Sequence, residues 1–157
     1  MCGIIVSTED IPLNSDNFLK NRGPDETNTI KYNNINFVHY LLHLTGEKTL
    51  QPLVENNKVC IFNGEIYNYK EILKDAKSDV YSIMKAYELH GYDFVKYLDG
   101  EFAIVFFDFD KNILIISGDI FKTKPLFYNI NNDSIIISSY ESCCYKIKHQ
   151  KHVCARK

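Results

Sequence analysis

The chain has 157 residues, 45% hydrophobic and 24% charged, the length and make-up of one ordinary globular domain with a core of its own. Its net charge of −2 gives no electrostatic reason to expect nucleic acid or an anionic membrane as partner, and no apolar stretch reaches bilayer length. Five cysteines, with no signal-peptide pattern before them and no paired zinc-ligand spacing, predict free thiols in a reducing, cytoplasmic setting without disulfide or metal.

Gly3-Ile4-Ile5-Val6-Ser7 predicts a buried strand at the very start of the chain. Residues 9–30 are polar and punctuated by Pro12 and Arg22-Gly23-Pro24-Asp25, which reads as a long loop or a short helix with turns. Residues 35–44 are apolar enough for a strand, and Gly46 and Pro52 bound another loop. Val59-Cys60-Ile61-Phe62 predicts a second buried strand, stopped by a tight turn at Asn63-Gly64. Residues 67–74 have helical character, and Ser78 is placed to cap a longer helix that runs through Leu89 and ends at Gly91. Phe94, Val95 and Leu98 suggest a further short helix. Strands follow at residues 102–107, 113–116, 126–130 and 135–138, with turns at 110–112 and 131–133. The lysines and arginine after residue 145 read as a solvated basic tail. Strands, then helices, then strands is the order of an α+β fold, not of a doubly wound parallel sheet.

Cys2 has special chemistry. Removal of Met1 would give one residue both a thiol and an α-amine, and an α-amine titrates near pH 8, low enough to take the thiol proton. Nucleophile and base are then joined by covalent geometry, although position two alone also suits an incidental cysteine. An amide-cleaving thiolate needs donors for the developing oxyanion. Asn63 and Gly64 offer a side-chain amide and a backbone N–H, and they equally suit a plain hairpin turn.

Met1-Cys2-Gly3-Ile4, Arg22-Gly23-Pro24-Asp25, Phe62-Asn63-Gly64-Glu65-Ile66-Tyr67-Asn68, Ser78-Asp79, Leu98-Asp99-Gly100-Glu101-Phe102-Ala103 and Lys124-Pro125-Leu126-Phe127-Tyr128 follow one another in order. The series resembles the N-terminal glutaminase domain of the asparagine synthetase family, a class II amidotransferase of the N-terminal-nucleophile hydrolase superfamily. The resemblance spans residues 2–142, within one amidotransferase domain at 1–157. It implies a four-layer αββα sandwich and hydrolysis of glutamine to glutamate and ammonia through a γ-glutamyl thioester, with no cofactor. Carried over residue by residue, it implies Cys2 as nucleophile with its own amine as base, and Asn63 and Gly64 as the oxyanion hole. Glu65 and Asp79 fall where the family holds the substrate's α-amino group, and a carboxylate suits an ammonium. Asp79 also suits the first turn of a helix, and the two roles do not compete.

The pattern breaks in three places. The family's carboxylate-gripping arginine, counted back from Gln51-Pro52, falls on Tyr40, which lacks the charged bidentate fork. The family's Arg-Asp before an aromatic and a glycine reads here as Gly118-Asp119-Ile120-Phe121-Lys122-Thr123. No glycine-rich pyrophosphatase loop follows, so ATP chemistry is not expected and ammonia would pass to a separate synthase subunit or escape. Three functions are consistent with these residues: a glutaminase, a hydrolase of another γ-glutamyl compound (motivated by Tyr40), and a catalytically weak domain kept for binding or regulation.

Overall fold

A computed structural model of the protein describes residues 1–11, 15–44, 46–131, 134–144 and 151–152. In sequence order its elements are β1 (Gly3–Ser7), α1 (Ser15–Lys20), β2 (Glu26–Tyr32), β3 (Ile35–Leu41), β4 (Leu53–Glu55) and β5 (Lys58–Ile66). There follow α2 (Tyr69–Ile72), α3 (Asp79–His90), a 3-10 segment at Gly91–Tyr97, β6 (Gly100–Asp108), β7 (Ile113–Gly118), β8 (Phe127–Ile130), β9 (Ile135–Ser138), a 3-10 turn at Glu141–Cys144 and β10 (Lys151–His152). The strands form two antiparallel sheets, ordered β10-β8-β9-β1-β3-β2 and β4-β5-β6-β7.

Strand alternation explains the layering. In β5, Val59 and Ile61 join Ala103, Val105 and Phe107 of β6 in a core shared with Ile4, Val6, Phe37 and Ile137 of the other sheet. The intervening Cys60, Phe62 and Ile66 turn the other way, with Phe102, Ile104 and Phe106, against Val80, Ile83, Met84 and Tyr87 of α3. On the outer face of the larger sheet, Ile5, Val38 and Tyr40 pack on Leu19 of α1 and on Cys143. Helix, sheet, sheet, helix is the expected αββα order. Both central strands of the smaller sheet are buried on both faces, which accounts for their near-continuous apolar runs.

Several sequence expectations are corrected. Residues 26–30, expected within a loop, belong to β2, whose exposure alternates along its length as an edge strand's does. Asn63-Gly64 does not turn the backbone. β5 runs on to Ile66, with Asn63 opposite Ala103 and Gly64 opposite Phe102, because the pairing with β6 continues to its end. The tight turns fall instead at Asn33-Asn34 (φ 46° and 62°) and Asn56-Asn57 (φ 47° and 56°), two-residue hairpin loops that need positive φ at both positions. Ser78 stands at the N-cap of α3 in extended conformation, yet its hydroxyl makes no capping hydrogen bond. Asn132 and Asp133 of the expected last turn, and the tail beyond 145 apart from β10, lie outside the described residues. Among the described residues, no helix is long and apolar enough to cross a membrane.

Candidate active site

The same alternation that builds the inter-sheet core delivers the chemistry to one end of it. Cys2 precedes Ile4 and Val6 at spacing two, Asn63 follows Val59 and Ile61, and Glu101 precedes Ala103, Val105 and Phe107. Cys2, Leu41, Asn63, Gly64, Glu65, Asp79 and Glu101 line one pocket, together with Leu42, His43, Glu47, Gln51 and Lys124.

Cys2 is held on both sides. The Leu42 N–H donates to its Sγ at 3.4 Å, and Arg22 Nε donates to its carbonyl at 3.0 Å. The guanidinium of Arg22 also lies over the Tyr140 ring, 5.2 Å from its centroid. The Arg-Gly-Pro-Asp segment is therefore a clamp on the N-terminus. Its glycine is required because a Cβ on Gly23 would meet the Tyr40 carbonyl oxygen at 2.0 Å. Asp25 completes the clamp, its Oδ2 accepting from the His43 N–H at 2.8 Å. Burial pushes the Cys2 thiol up, so the resting group is the neutral thiol and needs a base. Burial lowers the α-amine of Met1, against the pull of the neighbouring Cys2.

Asn63 is 1% exposed, and neither Nδ2 nor Oδ1 has a hydrogen-bond partner. A buried amide without partners is costly and demands a reason. Gly64, at φ 145°, tolerates no side chain, since a Cβ would lie 2.0 Å from the Glu101 carbonyl oxygen. Asp79 Oδ2 accepts from the Ile66 N–H at 3.2 Å, tying the start of α3 to the end of β5. Burial raises its carboxyl to about 6, against the hydrogen bond from Ile66.

Tyr40 is not in the pocket. It is 2% exposed and sits in the outer core with Ile5, Leu19, Val38 and Cys143. Its neighbour Leu41 lines the pocket instead, because adjacent strand residues point to opposite faces. His39 is 1% exposed, and burial holds its imidazole down at about 4, so it is neutral at ordinary pH and supplies no cation.

Glu101, Lys124 and Glu47 join the site without a sequence expectation behind them. Glu101 is legible in principle, since β6 alternation places it on the side of Ala103 and Phe107. Lys124 arrives on an irregular loop, for which periodicity carries no signal. Its Nζ lies 2.6 Å from Glu101 Oε1, with side chains 10% and 37% exposed.

A family described as a glutamine amidotransferase domain matches residues 1–155. The protein is 35% identical over 133 residues to the glutamine-hydrolyzing asparagine synthetase of Asparagus officinalis, a match spanning 78% of this sequence and 22% of that protein. It is 33% identical over 132 residues to that of Sandersonia aurantiaca, spanning 77% of this sequence and 25% of the relative. It thus spans roughly a quarter of the length of these curated relatives. In fold it is similar to glutamine phosphoribosylpyrophosphate amidotransferase from B. subtilis complexed with ADP and GMP, with a TM-score of 0.55 at 15% identity, over 90% of this protein and 36% of that one. The αββα order that the motifs imply is accordingly a fold shared with that solved amidotransferase.

Proposed function

The protein belongs to the glutamine amidotransferase domain family, and from that premise we propose that it hydrolyses the side-chain amide of glutamine through a thioester on Cys2. The ammonia is released, or passed to a separate synthase subunit. Met1 is 47% exposed and accessible to excision, which leaves the amine on Cys2. That amine takes the thiol proton, and Sγ attacks the amide carbon. Charge developing on the amide oxygen is met by Asn63 Nδ2 and the Gly64 N–H, each such donor being worth about 3 kcal/mol in the transition state. The proton passes to the departing ammonia. Water then attacks the thioester, giving a proton to the amine and hydroxide to the acyl carbon, and the thiol returns. Glu65 and Asp79 take the substrate's ammonium by charge-assisted hydrogen bonds.

The observation that carries this reading is Asn63, whose two unpartnered, buried polar atoms share a pocket with the Cys2 thiol. A purely structural asparagine at 1% exposure would have found partners. The described cysteines are all free, which supports a reducing, cytoplasmic location. The test uses protein whose N-terminal cysteine has been verified by mass spectrometry. A glutamine-analogue diazo-ketone is expected to add once, at Cys2, and glutamate and ammonia to appear in equal amounts from glutamine. No adduct and no ammonia would sink the proposal.

A further inference from the structure

The charges around the pocket are lopsided. Glu47, Glu65, Asp79 and Glu101 line it, against a single lysine among the described lining residues, Lys124. That lysine is already 2.6 Å from a carboxylate oxygen of Glu101. Arg22 is turned to the Cys2 carbonyl and the Tyr140 ring, and His43 Nε2 lies 3.1 Å from the Gly46 carbonyl oxygen. Acidic side chains alone would not make a site. Here, however, the buried and unpartnered amide of Asn63 points to a ligand in the same pocket. Beside the uncharged polar Thr49, Gln51 and Ser78, the wall carries an aliphatic stretch of Leu41, Leu42 and Leu44, the last 66% exposed.

A free amino acid brings an ammonium and a carboxylate. Carboxylates on the wall serve the first and repel the second, and like-charge juxtaposition is a common device for rejecting a ligand. Conversion of the ligand's carboxylate into an amide removes the repulsion and gives an N–H that a wall carboxylate accepts. It also extends the ligand toward leucines that a lone amino acid leaves uncovered. Resting on the Cys2 mechanism above, we infer that the preferred substrate is a glutaminyl group with a free α-amine and an α-carbonyl in amide linkage, as in the first residue of a peptide. The reaction consumes one water. The C–N bond of the glutaminyl γ-amide breaks, a C–O bond forms at the same carbon, and the products are ammonia and a peptide that begins with glutamate.

Steady-state ammonia release is compared for L-glutamine, L-glutamine α-amide and the dipeptides Gln-Gly and Gln-Leu, with products identified by mass spectrometry. The expected kcat/KM is at least about tenfold higher for the α-amide and the dipeptides than for free glutamine. A higher value for Gln-Leu than for the α-amide marks a peptide as the source of the amide, and the reverse order marks a small amide. The Leu41→Arg variant, checked for folding by circular dichroism, is expected to shift the ratio by about tenfold or more toward free glutamine. Free glutamine equal or preferred in the unsubstituted protein would overturn the inference and leave the Cys2 mechanism intact. Labelling of Cys2 without turnover of any amide-linked substrate would also overturn it. Neither labelling nor turnover would remove the Cys2 mechanism and the inference with it.

Discussion

Lys124 reaches Glu101 across 2.6 Å from a loop that Asp119 fastens to the first residues of β6. The Asp119 carboxylate, 5% exposed, accepts from the Phe102 N–H at 3.1 Å, from the Phe121 N–H at 2.9 Å, and from the N–H and hydroxyl of Thr123. Burial works to raise its carboxyl, but the Thr123 and backbone donors outweigh it and hold it below the usual range. Asp119→Ala leaves these donors unpaired. A loss of about 3 kcal/mol is expected, which for a protein of this size lowers Tm by about 6–12 °C in a thermal melt.

Asn63→Ala separates catalysis from folding. Loss of one oxyanion donor is expected to reduce kcat by about 10²–10³. The amide it removes has no protein partner, so stability is expected to change by less than about 1 kcal/mol, or to rise. Single-turnover kinetics and a melt on the same preparation check both halves. A kcat near the unsubstituted value would remove Asn63 from the chemistry.

Asp79 predicts the acid limb of the rate profile. Its carboxyl titrates at about 6, raised by burial, and only the ionised form pairs with a ligand's ammonium. kcat/KM should therefore fall about tenfold per pH unit below that value. Asp79→Asn should remove the break near pH 6, leaving the fall due to protonation of the α-amine, and lower kcat/KM at pH 7 by about 10–100-fold, the value of one charge-assisted hydrogen bond.

Stability against pH should be flatter than either buried group alone would make it. His39 titrates at about 4 in the folded protein and near 6.5 unfolded. Its neutral form stabilises the fold by about 3 kcal/mol at pH 7, and this is lost as pH falls from about 6.5 to 4. Asp79, raised to about 6, does the reverse, since protonation favours the folded state as pH falls from about 6 toward 4. Asp79→Asn removes the compensation. Urea melts of that variant are expected to lose about 3 kcal/mol between about pH 7 and pH 4, and an unchanged midpoint would contradict the neutral assignment of His39.

Tyr40→Arg is expected to damage the protein and to restore nothing. The position is 2% exposed on the face opposite the pocket, so the guanidinium would enter an apolar core at a cost above about 4 kcal/mol. Soluble, folded Tyr40→Arg with raised glutaminase activity would show that β3 is in the wrong register.

Much of the site is legible because strand residues repeat with period two. Val59, Ile61 and Asn63 stand on one face of β5, and that face is fixed once the apolar positions are assigned. The end of β5 is not legible. Asn-Gly reads locally as a turn, and only the pairing of Gly64 with Phe102 keeps the strand extended to Ile66. The two-residue asparagine turns at 33–34 and 56–57 escape a sequence reading because asparagine is frequent along the whole protein and therefore marks no single place.

Local composition determined that Cys2 leads directly into a buried strand, that an apolar alternation carries Asn63 behind it, and that the order of elements is α+β. Pairing between distant strands decided the rest. Gly3 is opposite Tyr40 and Glu65 opposite Glu101, and this register turns Leu41 toward the thiol and Tyr40 away from it. Register depends on hydrogen bonds between residues far apart in sequence, and a shift of one place reverses every side chain on a strand.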